Sequence, residues 1–134
     1  MYSFNMRVEQ PFDPKRHVEK VLGITGEGDV AIACWEPEQT SPYHCHPRAT
    51  EIYFRFEGGG QMRTSSETID IVPGSFFVHP PGELHEYINA ARRTLLFRVR
   101  YGAAMAGRTR EWPNNPNWKP RPEDIEYFAN NPAG

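Results

Sequence analysis

His44 and His46 stand two residues apart, Glu51 follows five residues later, and His85 comes after a Pro80-Pro81-Gly82 corner. Residues two apart in a strand point to the same side. The pair therefore presents two imidazoles on one face, with Cys45 on the other. Pro47-Arg48-Ala49-Thr50 makes a short turn that can bring the Glu51 carboxylate beside them. Three neutral imidazoles and one carboxylate are a ready site for a divalent first-row metal. With these ligands a divalent ion keeps a formal charge of about +1, and a six-coordinate ion keeps two positions open, as catalytic sites do. Such an ion favours an anionic or enolate-forming molecule that chelates through two oxygens. Fe, Mn, Ni, Co, Cu and Zn all suit the ligands, and the sequence does not choose among them.

The elements that must position these residues are short strands. The chain has 134 residues with 13 Pro and 11 Gly, a density of breakers that leaves little room for long helices. Its mean hydropathy of −0.68 hints at disorder, but eight Phe, six Tyr and three Trp supply the burial that disordered chains lack. Strand-like runs cover Val30 to Trp35, Tyr43 to His46, Glu51 to Phe56, Gln61 to Thr64, Thr68 to Val72, Ser75 to His79, His85 to Ala90 and Thr94 to Tyr101. Many short strands with Gly/Pro turns predict an all-β closed barrel or two-sheet jelly roll. Residues 1–29 read as N-terminal strands and turns joining the barrel, 30–101 as its core, and 102–134 as a Pro/Asn-rich tail. The tail ends in a short helix from Arg121 to Asn130, with Ile125, Phe128 and Ala129 on one face. It either docks on the barrel or a second subunit, or forms a lid over the mouth.

Two stretches resemble the two motifs of the cupin superfamily. The first is His44-Cys45-His46, four residues, Glu51, six residues, Gly58. The second is Gly74, five residues, Pro80-Pro81-Gly82, two residues, His85, three residues, Asn89. The resemblance covers roughly residues 30 to 100. It implies a small jelly-roll barrel, the double-stranded β-helix, binding one metal at the positions matched by His44, His46, Glu51 and His85. The family's usual glycine six residues before the first histidine is Glu38 here, and Arg55 and His79 stand where aliphatic residues are common. Similar small proteins commonly pair through sheet faces. A homodimer through the outward set Ile52, Phe54 and Phe56 is expected by that analogy.

Alternation extends the site beyond the ligands. If Glu51 points inward, so do Tyr53 and Arg55. Arg55 either holds a substrate carboxylate or phosphate, or is turned to solvent by a bulge, or pairs with an acid across the sheet. Tyr87 shares the parity of His85 and either meets the ligand as an acid/base or fills the barrel; Asn89 reads as a strand-end residue. Arg98 lies on the mixed face Leu96, Arg98, Arg100 of the last strand and is a further cavity candidate. His79 is a second-layer partner, a proton shuttle or a rim residue. His17 receives no role.

The function expected from these residues is a metal-dependent enzyme acting on a small oxygen-rich anion. In the first form it is a dioxygenase that binds a chelating enolate with O2. In the second it is an isomerase or lyase of a sugar acid or oxo acid, in which Glu51 or Tyr87 moves a proton at an enediolate. A non-catalytic small-molecule-binding protein is the alternative of a different class. Fifteen basic and 17 acidic residues, with no basic run, speak against nucleic-acid or membrane-surface partners. The N-terminus lacks the apolar run of a signal peptide, and Cys34 and Cys45 are too few for a disulfide framework. A cytoplasmic setting is the expectation.

Overall fold

Among the described residues the Gly/Pro punctuation sets off ten strands: β1 (Val18–Thr25), β2 (Gly28–Trp35), β3 (Tyr43–Cys45), β4 (Ala49–Glu57), β5 (Gly60–Thr64), β6 (Thr68–Asp70), β7 (Phe76–His79), β8 (His85–Asn89), β9 (Thr94–Gly102) and β10 (Arg108–Glu111). Two helices, α1 (Met6–Glu9) and α2 (Pro122–Asn130), lie near the ends. The computed structural model describes residues 1–132, so the last two residues of the expected tail lie outside it. The strands form two five-stranded antiparallel sheets, ordered β1-β2-β9-β4-β7 and β10-β3-β8-β5-β6. This is the all-β double-stranded β-helix, or jelly roll, with a short C-terminal helix. Among the described residues no helix is long and apolar enough to cross a membrane.

Alternation decides which side chains meet between the sheets. Along β4, Ala49, Glu51 and Tyr53 are buried while Phe54 and Phe56 are exposed. The interior cluster draws Ala33, Trp35, Tyr53 and Leu96 from one sheet and Met62 and Tyr87 from the other, with Ile71 at its edge. Each large apolar side chain removed from water here contributes about 1.5–3 kcal/mol.

The C-terminal end of the chain joins the barrel more closely than the sequence suggests. β1 is a strand joining the barrel from the first 29 residues, and the tail, expected to hold only a short helix, also supplies β10, which pairs with β3. The N-terminal segment lays Met6 and Phe12 on the outer side of the first sheet, over Ile32, Cys34 and Leu95. Helix α2 lays Tyr127 and Phe128 on Tyr43, Cys45 and Leu84 of the second. The expected helix face is corrected: Ile125 is 59% exposed and Asp124 is buried in its place. Asp124 accepts hydrogen bonds from Thr109 N, Arg121 N and the Arg121 guanidinium, and these bonds set the helix rotation. Cys34 and Cys45 are both free and buried.

Glu38, in the loop before β3, has φ +67° and is the one described non-glycine residue with positive φ. The backbone thus keeps the left-handed form that a glycine would adopt without strain, although the side chain is glutamate. The left-handed form costs an ordinary residue roughly 1–2 kcal/mol, and glycine returns about 0.4–1 kcal/mol of that through a freer unfolded chain. Glu38→Gly should therefore raise stability by about 0.5–1 kcal/mol. The check is a higher urea midpoint at unchanged slope; a lower midpoint would mean that the Glu38 side chain contributes more than its strain removes.

Candidate metal centre

His44 on β3 and His85 at the start of β8 are register partners. Glu51 reaches toward them from β4 of the facing sheet. One donor atom from each of the three lies within 4.8 Å of the other two. The Pro80-Pro81-Gly82 corner makes this possible. Gly82 adopts φ +82°, a conformation open to glycine at no steric cost, and its N–H donates to the His46 carbonyl at 3.0 Å. The corner is thereby tied to the chain just after β3, and His85 emerges opposite His44.

Backbone carbonyls fix the tautomers. Nδ1 lies 2.8 Å from Pro42 O in His44, 3.0 Å from Met105 O in His46 and 3.0 Å from Glu83 O in His85. A carbonyl only accepts, so each Nδ1 donates its proton and each Nε2 is the nitrogen turned inward, as in metal-binding histidines. His85 Nε2 then faces Glu51 Oε1 at 2.8 Å. At that distance Nε2 either carries a proton that it donates to the carboxylate or joins Glu51 as a ligand to a cation.

Burial pushes the Glu51 carboxyl up, but its contacts with His46 and His85 outweigh burial and hold it well below the usual carboxylate range. Burial, and next the neighbouring His85, hold His44 well below the ordinary imidazole value. His44 is therefore neutral and Glu51 ionised, the protonation states that metal binding requires. Glu51 Oε2 is buried without a hydrogen bond. An orphaned carboxylate oxygen beside inward-facing imidazole nitrogens fits a divalent ion, so His44, Glu51 and His85 could hold one.

The other residues singled out in the sequence fall at graded distances from this group. His46 stands at its edge, with Nε2 3.3 Å from Glu51 Oε2 and 3.3 Å from an Arg100 guanidinium nitrogen. The His79 ring stacks on His85 at 3.8 Å and 5°. Its Nδ1 donates to Glu83 Oε1 at 2.9 Å, and its Nε2 is buried without a partner. Tyr53 turns edge-on to both rings, 6.1 Å from His79 and 6.4 Å from His85. Tyr87 is not brought to the centre. Its hydroxyl donates to Asn89 Oδ1 at 2.7 Å and its ring packs 4.5 Å from Trp35, so it fills the barrel. Arg55 is not brought there either. It keeps register with Leu96, four residues along β4 from Glu51, and its Nε donates to Gly58 O at 2.7 Å. Arg98 does point inward, but carboxylates hold two of its nitrogens.

Sequence reasoning missed three residues. Glu83 clamps both stacked histidines, one through its carboxylate and one through its carbonyl; its place two residues before His85 was the available signal. Arg100, 3.6 Å from Glu51 Oε2, follows from the parity already applied to Arg98. Glu19 sits on β1, a strand whose short pieces between turn residues give no alternation to read.

Germin-like protein 9-3 of Oryza sativa subsp. japonica is 29% identical to this chain over 82 residues, 58% of this chain and 38% of that protein. The chain thus matches well under half the length of this relative. A conserved protein with a double-stranded beta-helix domain from Klebsiella pneumoniae superposes with a TM-score of 0.76 at 15% identity, covering 84% of this chain and 99% of that one. Recombinant oxalate oxidase in complex with glycolate gives 0.61 at 20%, covering 71% and 55%. A sugar phosphate isomerase from Silicibacter pomeroyi DSS-3 gives 0.63 at 18%, covering 72% and 66%. At these identities the structures share the fold.

The donor geometry makes a direct prediction for metal content, measured by elemental analysis of purified protein. His44→Ala and His85→Ala should each weaken metal binding by about 10-fold or more, since changes one layer further out already cost 10–100-fold. Arg55→Ala and Tyr87→Phe should keep wild-type metal content; the reverse pattern would refute the assignment. A family model described as Cupin domain matches residues 31–98, over the strands that carry these donors, and the chain belongs to that family.

Proposed function

We propose that this cupin is a metal-dependent enzyme that takes a small, oxygen-rich anion in chelate form and performs dioxygenase-type chemistry on it. The observation that carries the reading is the donor set, in which imidazoles and a single ionised carboxylate meet in a buried pocket. His44, Glu51 and His85 would hold the ion, with His46 as a fourth ligand. When bound, the metal supplies Lewis-acid and redox chemistry at the chelated oxygens. The chain keeps each Nε2 aimed inward, excludes water from Glu51 and sets the positive Arg100 beside it. The likeness in fold to oxalate oxidase in complex with glycolate supports a small acid as substrate.

A second reading is a metal-dependent isomerase or lyase of a sugar acid or oxo acid. It is favoured by the free, buried Nε2 of His79, a proton acceptor stacked against His85, and by the likeness to a sugar phosphate isomerase. The two free buried thiols suit a reducing compartment, so we place the protein in the cytoplasm.

We also propose a homodimer. On the outer side of the first sheet Phe76, Phe54 and Phe97 lie in one row and Val78, Ile52 and Val99 in the next. Exposed Phe54, Phe56, Phe76 and Val78 add up to a patch of the kind that marks interfaces. Light scattering after gel filtration should give twice the chain mass, and Phe76→Glu should give the monomer mass with the fold intact; a monomeric wild type would refute the pairing.

Activity separates the catalytic readings. With Fe(II) and glycolate or a similar chelating acid, the protein should consume O2, and His44→Ala should reduce uptake to background. Solvent deuterium entering a sugar acid without O2 uptake would select the isomerase or lyase instead. Tight ligand binding with neither signal would leave a non-catalytic binding protein.

A further inference from the structure

Arg98 is 1% exposed, and its guanidinium is held between two carboxylates: Glu19 Oε2 at 2.5 Å and Asp29 Oδ1 at 2.7 Å. The two acids differ in kind. Asp29 belongs to the interior strand β2, whereas Glu19 extends from the edge strand β1 with its side chain 31% exposed. Tyr53 completes the arrangement by donating its hydroxyl to Glu19 Oε1 at 3.3 Å. Arg98 Nε is buried without any partner. The guanidinium and the phenol therefore both point at one carboxylate, and one guanidinium donor remains unused.

Outside Glu19 lies a cavity of about 470 Å³ lined by Asp13, Arg16, His17, Val18, Glu19 and Trp112. It opens at the chain segments beside β1 and β10, the two sheet edges that have no neighbour on that side. A second cavity of about 720 Å³ shares Asp13, Arg16 and Trp112 with it. His17 Nδ1, on the cavity wall, is buried and unpartnered. On the inner side, Tyr53 and Arg98 are register partners, as are the next inward pair, Glu51 and Arg100.

We infer that Glu19 occupies the anion seat of the site. Its carboxylate stands where the carboxylate of an incoming organic acid is taken up by Arg98 and Tyr53, and the cavity between β1 and Trp112 is the way in. The ligand class is a small carboxylate whose far end reaches the Glu51 donor group. Charge agrees with this exchange. Two guanidiniums, Arg98 and Arg100, face three carboxylates, Glu19, Asp29 and Glu51, so a further anion is welcome only when Glu19 leaves. The inference rests on the reading of the centre as a site for small anions. It assigns Glu19 a regulating role, as an internal occupant that an acid must displace.

The test is calorimetric titration of the full chain with propionate, a monocarboxylate that chelates poorly, and with propionamide as the neutral control. Glu19→Gln should bind propionate about tenfold tighter than the wild type, because the competing charge is gone while the hydrogen-bonding shape stays. Propionamide should not bind either protein. Should Glu19→Gln fail to fold, Glu19→Ala, which also removes the competing charge, carries the same expectation. Equal or weaker propionate binding in a folded variant overturns the inference. So does binding that disappears after EDTA treatment, since the acid would then be on the metal. Absence of metal from the wild type would sink the proposed function and leave the seat standing.

Discussion

The 2.8 Å approach of Glu51 Oε1 to His85 Nε2 is the constraint on which the rest depends. With the other nitrogen of His85 committed to a carbonyl, Nε2 meets the carboxylate as a proton donor or joins it as a ligand to a cation. Such a pair persists only with positive charge at hand, and only if two sheets are pressed together around it. Glu51 comes from one sheet and His85 from the other. The fold therefore spends a glycine corner, a hydrogen bond from Gly82 to His46 and the double grip of Glu83 on holding one imidazole in place. A buried charge left without a partner costs roughly several kcal/mol in desolvation, which a small barrel does not carry. The Arg100, Asp29, Arg98 and Glu19 chain continues that pairing to the sheet edge.

This explains the low mean hydropathy. An ordinary small sandwich fills its middle with aliphatic side chains, whereas here one end of the space between the sheets holds histidines, carboxylates and guanidiniums. The aromatic residues do the compensating burial at the other end, where Trp35, Tyr87 and Met62 meet. Tyr87 belongs to that packed end, although its parity is that of His85. Sharing a face with a ligand is not the same as sharing a layer.

Much of this was legible in the residues. The spacing of His44, Glu51 and His85 around the Pro80-Pro81-Gly82 corner is enough to place them together, and alternation gives the inward faces of β4, β8 and β9. What escaped had physical reasons. Arg55 keeps the alternation, in register with Leu96, but it lies four residues along the strand from Glu51 and spends its Nε on the Gly58 carbonyl, which parity alone does not reveal. Ile125 looks like the buried residue of α2 until Asp124 is seen to bind the Thr109 and Arg121 amides. β10 pairs with β3 through backbone groups in a charged stretch, Arg108-Thr109-Arg110-Glu111, that carries no hydrophobic pattern. Glu19 was hidden for a related reason: its importance lies wholly in partners 34 and 79 residues away along the chain, Tyr53 and Arg98.

The two thiols have a consequence of their own. Cys34 is roofed by the N-terminal segment and Cys45 by the C-terminal helix, each on the outer side of a different sheet. Neither thiol can meet a reagent until its own roof lifts, and lifting one does not uncover the other. Burial also raises both thiol pKa values, Cys34 to about 11, so the reactive thiolate is scarce while the roofs are closed. The protein thus carries two separate clocks, one for each end of its chain. The pace at which each sulfur is alkylated keeps time with the breathing of the strap above it.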